Sequence, residues 1–262
     1  MTRGPVAGRL AAFALLGCSI AAPAAMAQEC PVSHDQLTKA LKASVKPSGG
    51  PTNGGFDNNE WAVVVDRDGA VCAVAMSGGK PGDQWLASRA IAAEKANTAN
   101  SMSLPQMAIS TANLYAGSLP AGYLYGALAT NPPVPDLLYA GDPHSFGTAS
   151  DPWLGKHLGG VVVFGGGLAL YGDQGIVGAL GVSGDTSCAD HNVAWRVRQG
   201  LGLDRVPNGI SPAHNDAIVY DMLPDKTSAS GYGHPQCGGS EPQIAEQIHA
   251  GFIPQWAQVT KK

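Results

Sequence analysis

Residues 60–78, EWAVVVDRDGAVCAVAMSG, set two runs of valine and alanine on either side of Asp66-Arg67-Asp68-Gly69. Asp-Gly between apolar runs is a strong short-range hairpin signal, because glycine supplies the positive φ of a tight turn without steric cost. A hairpin pairs its strands antiparallel. Further along, residues 160–164, 168–171 and 175–183 read as three more short strands parted by glycine turns. The expectation is one antiparallel sheet of five strands.

Helices must cover that sheet. Residues 33–45, SHDQLTKALKASV, offer Ser33 as an N-cap and Leu37, Leu41 and Val45 at i+4 spacing, which predicts an amphipathic helix. Residues 84–101, QWLASRAIAAEKANTANS, are rich in helix formers, and Ser88, Ala92, Lys95 and Ala99 share one face. That stripe is nearly all small side chains, so it leaves room for something bulky. Ser187 and Asp190 have capping-box spacing for a helix to about Leu201, and 241–250 reads as a short helix. Between them, residues 104–156 are irregular and rich in Pro, Gly and Asp, with helix expected only in 110–129; so long a stretch is usually a functional loop or an insertion. The class is α+β.

The start of the chain limits what the protein can do. Arg3 and Arg9 flank a basic start, residues 10–22 are almost wholly apolar, and Ala25-Met26-Ala27 fits a small-x-small cleavage site, so residues 1–27 read as a secretory signal. LLGC at 15–18 loosely resembles a lipoprotein box, but the apolar run continues past Cys18. No later stretch is apolar for long enough to span a bilayer. A periplasmic or secreted product is expected, with residues 28–262 as a single domain. Cleavage leaves 14 of the 16 basic side chains against all 20 acidic ones, a balance of −6 that disfavours nucleic acid as a partner. Four cysteines remain, Cys30, Cys72, Cys188 and Cys237, and an even number in an oxidising compartment implies two disulfides. Sequence alone leaves three pairings open. Cys30 and Cys237 sit in loop-like sequence near the two ends, which favours Cys30–Cys72 with Cys188–Cys237.

Several chemistries can be tested on residues 178–191, GALGVSGDTSCADH, and their surroundings. A nucleophile elbow needs Gly-x-Ser-x-Gly, but Gly181-Val182-Ser183-Gly184-Asp185 brings its second glycine one residue early. Ser183 is better read as a turn serine. A dinucleotide loop fails at Leu170, which stands where the last glycine after Gly165 and Gly167 is required. Cys188 and His191 at i and i+3 have zinc-ligand spacing, yet no second pair exists, and export favours a disulfide at Cys188. Seven histidines stand singly at 34, 144, 157, 191, 214, 234 and 249, and any neutral imidazole can bind haem iron axially. His157, just ahead of the 160–164 run, is the first candidate. His144, inside the irregular stretch, is the second.

The hairpin AVVVDRDGAVCAVAMSG, the helix SRAIAAEKANTA and residues 159–194 together resemble the GlcG/HbpS family of haem-binding proteins, which is related to the C-terminal domain of PduO-type corrinoid adenosyltransferases. The likeness covers about 33–201, and its most specific parts are Ala92-x-x-Lys95-Ala96-x-x-Ala99 and Gly178-x-x-Gly181-Val182-Ser183-Gly184. It implies a profilin-like sandwich, assembly into homo-oligomers, and binding of haem or a related tetrapyrrole for haem handling or redox sensing. Residues 127–156 and the tail 203–262 stand outside the family core as an insertion and an extension. No ligand motif carries over residue by residue. Lys95, on the small-residue stripe, is a candidate partner for a haem propionate, and the helix start after Gly184 is a carboxylate site that Asp185 opposes. This reading favours a binding protein over an enzyme, with no catalytic residue assigned. The alternatives are an enzyme or sensor domain acting on a small hydroxy or oxo acid such as glycolate, and a plain extracellular module.

Overall fold

The computed structural model describes residues 29–46 and 52–250, together with Met1 and Gly4; the signal expected at 1–27 otherwise lies outside the described residues. Four strands form one antiparallel sheet: β1 (Trp61–Asp66), β2 (Val71–Met76), β3 (Gly167–Gly172) and β4 (Gly175–Ser183), in the order β2-β1-β4-β3. The first hairpin closes where expected. The Asp66 amide donates to the Ala70 carbonyl (2.9 Å), the Ala70 amide donates to Asp66 Oδ1 (2.9 Å), and Gly69 takes a φ of 89°.

No fifth strand is present among the described residues. Residues 160–164 have a strand-like composition, but they cross helix α2 (Leu86–Met102), and their backbone bonds run to side chains of that helix and to Asn131. Asn97 Nδ2 donates to the Gly160 carbonyl (2.8 Å), the Val162 amide donates to Thr98 Oγ1 (3.0 Å), and the Val161 amide donates to the Asn131 carbonyl (3.1 Å). With these partners the segment has no need of a sheet neighbour.

Both faces of the sheet are covered, which is why all six residues of β1 are buried instead of alternating. Ala62 and Val64 pack with Leu37 and Leu41 of α1 (His34–Val45) and with Val193, Trp195 and Val197 of α3 (Ser187–Gly200). Trp61, Val63 and Val65 pack on the other face with Ala92, Ala93, Ala96 and Ala99 of α2, and with Phe146, Trp153 and Leu158. α1 starts at a true capping box: Ser33 Oγ accepts from the Gln36 amide, and Gln36 Oε1 accepts from the Ser33 amide. At α3 the cap differs from expectation. Thr186 caps the helix by accepting from the Ala189 amide (3.1 Å), and Ser187 is the first helical residue.

The small-residue stripe on α2 has a bulky neighbour, and it is the sheet. A Cβ at Gly181 of β4 would lie 1.9 Å from the Ala92 carbonyl oxygen and 2.6 Å from the Ala96 nitrogen. Helix and strand backbones touch at that point, so no space is left for a flat ligand on this face.

Residues 110–129 are not one helix; they break into a 3-10 turn (Thr111–Leu114) and single α-turns at Tyr115–Ser118 and Ala127–Thr130. The irregular stretch and the tail cover the edges of the sheet. Along β2, the Val71 amide donates to the Lys156 carbonyl and the Gly155 amide to the Val71 carbonyl, both at 2.8 Å. Along β3, the Tyr171 amide donates to the Leu203 carbonyl at 2.8 Å. Edge pairing of this kind removes a template for aggregation. Among the described residues the last element of the tail is α4 (Glu241–His249), and the tail is tied inward by a buried bidentate pair, Arg198 to Asp216 at 2.6 and 2.8 Å. Disulfides join Cys30 to Cys72 and Cys188 to Cys237, each fixing an outer segment to the central layers.

Candidate functional site

The three candidates for haem contact occupy three different environments. Lys95 projects from α2 into the protein, and its side chain is only 2% exposed. Its ammonium donates to Asp190 Oδ2 (2.6 Å), the Val182 carbonyl (3.1 Å) and Ser183 Oγ (3.4 Å). An ammonium has three protons to donate, and all three are placed. The amine therefore does not reach water, and Lys95 lines none of the cavities described below.

Asp190 explains why the strand-to-helix turn holds its shape. Its Oδ1 accepts from the amides of Gly184 (3.1 Å) and Asp185 (2.8 Å), while Oδ2 takes Lys95 and a bond from Ser183 Oγ (3.3 Å). The residue expected to cap a helix instead staples the turn before it. The Asp185 carboxylate fills the rest, accepting from the amides of Thr186, Phe56 and Asn58. With these amides engaged, the turn has no room for an external carboxylate. Burial pushes Asp190 up to about 6 despite the opposing lysine, and burial with the nearby Asp190 and Asp185 charges holds Glu60 well above the usual carboxylate range. Ser183 is buried between lysine and aspartate, with no imidazole among its partners, so an acyl-transfer triad is not assembled here.

His144 is at the surface. Its side chain is 94% exposed, and its Nδ1 pairs with Asp142 at 2.9 Å; the bonds from the His144 amide and ring hold the Asp142 carboxyl below its usual range.

His157 has a different setting. It is exposed, lacks any hydrogen-bond partner among the described residues, and lines a groove of about 440 Å³ with Asp66, Asp68, Ala70, Val71, Cys72, Leu154 and Gly155. The β1–β2 hairpin builds one wall and the 154–157 segment, tied to β2 by its backbone, builds the other. Four other histidines are wholly or partly buried in the fold. His34 Nδ1 bonds the Val74 carbonyl, His191 is fully buried and its Nε2 accepts from the Ile218 amide, and burial lowers both His234 and His249 to about 4.

Two other cavities flank the core. One of about 550 Å³ lies between α1 and α3, lined by Lys39, Ala40, Ala43, Arg196 and Leu201 among others. One of about 240 Å³ is lined by Leu86, Arg89, Ala90, Leu138, Tyr139 and Phe146. Arg89 at that site is engaged, bonded to buried Asp151 and stacked on the rings of Phe146 and Trp153.

One cluster escaped sequence reasoning. Cys188 meets His234 and not His191: Cys188 Sγ lies 3.9 Å from His234 Nδ1, and Cys237 completes the group. The visible signal was His234-Pro235-Gln236-Cys237, a His-x-x-Cys spacing in the loop-rich tail.

Residues 57–198 match a family described as haem-degrading protein, HbpS-like. Among solved structures, a complex of PduOC with haem is 24% identical, covering 63% of this chain and 89% of that one with a TM-score of 0.43. Protein ORFY of Klebsiella pneumoniae is 20% identical (70% and 98% covered, TM-score 0.44), and HbpS is 17% identical (68% and 93%, TM-score 0.40). A search of curated proteins finds no match.

Proposed function

The chain belongs to the HbpS-like family, and from that premise we propose that it binds haem in the groove beside the β1–β2 hairpin, with the His157 imidazole as an axial ligand. The observation that carries this reading is the state of His157: an exposed ring with no hydrogen-bond partner among the described residues, lining a groove of about 440 Å³. That size falls within the roughly 300–1,000 Å³ usual for ligand sites. Iron needs a nitrogen with a free lone pair, and neither ring nitrogen of His157 is engaged among the described residues. The remaining lining also suits a macrocycle. Ala70, Val71 and Leu154 would give it apolar contact, Asp66 and Asp68 would repel its propionates, and the exposed Lys156, next to His157 in sequence, would be a cation for them.

The two disulfides support export to an oxidising compartment. Self-association belongs to the same proposal. Trp85 (68%), Leu86 (56%) and Tyr139 (66%) are large exposed apolar side chains, and Leu86 and Tyr139 share one cavity.

Titrating the purified protein with hemin tests the reading. A Soret shift that saturates at one haem per chain supports it, and a linear, unsaturable response rejects it. Following the band under a reductant and oxygen separates carriage from breakdown.

A further inference from the structure

We propose that the cavity between α1 and α3 binds a small organic carboxylate, with Arg196 and Lys39 as the cations that meet its carboxyl group. The cavity measures about 550 Å³, larger than the other two described above and within the roughly 300–1,000 Å³ usual for small-molecule sites. It shares no lining residue with the His157 groove.

Charge singles it out. The chain is net acidic, at −4, yet two cationic side chains and no acidic one line this cavity. The buried cations of the core, Arg89, Lys95 and Arg198, each have a carboxylate partner. Among the described residues neither Arg196 nor Lys39 has one.

Arg196 is held ready on one edge and short of a partner on the other. Its Nε donates to Asn53 Oδ1 (3.1 Å), and Asn53 is fixed in turn, because its Nδ2 donates to the Ser44 and Val45 carbonyls at 2.9 and 3.1 Å. Nη2 is buried and has no hydrogen-bond partner. Burial lowers the pKa of this half-buried side chain, but a guanidinium stays charged at ordinary pH. An unmet buried donor costs free energy in the empty protein, and a carboxylate oxygen relieves that cost. Reaching Nη2 takes a shift of the side chains around it, of the kind that commonly accompanies binding. From the facing helix, exposed Lys39 adds a second, mobile charge, and the capping box uses only Oε1 of Gln36, leaving its NH₂ to donate.

The rest of the lining favours a monoanion with a carbon body over phosphate. The end of α3 that borders the cavity is its C-terminus, at Gln199 and Gly200, where the carbonyl ends disfavour a dianion. Ser44 Oγ donates to the Ala40 carbonyl (2.7 Å), so its proton is already spent. Val32, Ala40, Ala43 and Leu201 supply apolar surface for a short chain.

The test is isothermal titration calorimetry of the full chain with hexanoate, hexanol and inorganic phosphate. Hexanoate is expected to bind saturably, one per chain, and more weakly as salt is raised. Hexanol and phosphate are expected to bind at least about tenfold more weakly, and Arg196→Gln to lose at least about tenfold in hexanoate affinity, the loss of one charge-assisted hydrogen bond. Ala43→Phe fills the cavity from an exposed position, so it should abolish binding and leave the thermal midpoint unchanged. Should Arg196→Gln not fold, as read by near-UV circular dichroism, Ala43→Phe decides alone. His157→Ala should bind hexanoate as the wild type does, which separates this site from the haem groove. The proposal is overturned if hexanoate gives no saturable heat, if hexanol or phosphate binds as tightly, if folded Arg196→Gln or Ala43→Phe binds it as the wild type does, or if His157→Ala loses it.

Discussion

At Lys95 three N–H donors meet three acceptors in a space closed to water. Removing one partner of such a pair leaves an uncompensated buried charge, which typically costs about 3–5 kcal/mol. Lys95→Ala is therefore expected to lower the urea midpoint sharply, with unchanged haem affinity in whatever remains folded; a weaker affinity at full stability would return Lys95 to the ligand site. The sequence placed Lys95 correctly on the small-residue stripe of α2 but could not show Asp190, 95 positions along, beneath it. His191 makes a second residue-scale prediction. Burial keeps its pKa well below the ordinary value. The unfolded chain takes up a proton near pH 6.5 and the folded one does not, so His191 subtracts stability as pH falls below about 6.5. Buried Asp190 and half-buried Glu94, each raised to about 6, act in the opposite direction, so the comparison has to be differential. Relative to His191→Gln, the wild type should lose stability between pH 7 and 5 in urea titrations, and parallel pH profiles would contradict this.

Among the elements, the contact of α2 with β4 is the tightest. Gly181 stands against the helix backbone, not against a side chain that can move aside. Gly181→Ala is expected to cost at least the upper end of the roughly 1–3 kcal/mol typical of overpacking, read as a loss of thermal midpoint. An unchanged midpoint would mean that helix and sheet separate easily. The hairpin, α1, α2, α3 and β4 were all legible, because turn chemistry, caps and i+4 spacing are local. The segment 160–164 was not. Three successive valines suit a strand equally well whether their amides meet another strand or, as here, Thr98 and Asn131. For the same reason the His157 groove was only half legible: the histidine stood out by position, while its wall comes from a hairpin some 90 residues earlier in the chain.

For the molecule as a whole, the exposed apolar group of Trp85, Leu86 and Tyr139 gives the expected self-association a surface on which to form. Light scattering after size exclusion should show an oligomer that Leu86→Glu shifts toward the monomer, and a monomeric wild type would remove this part of the account. Haem binding in the groove at His157 is checked by hemin titration of His157→Ala. An altered Soret band, an affinity at least about tenfold weaker and partial recovery with free imidazole are expected, while His144→Ala behaves as wild type. A His157→Ala protein with the wild-type spectrum and affinity would contradict it.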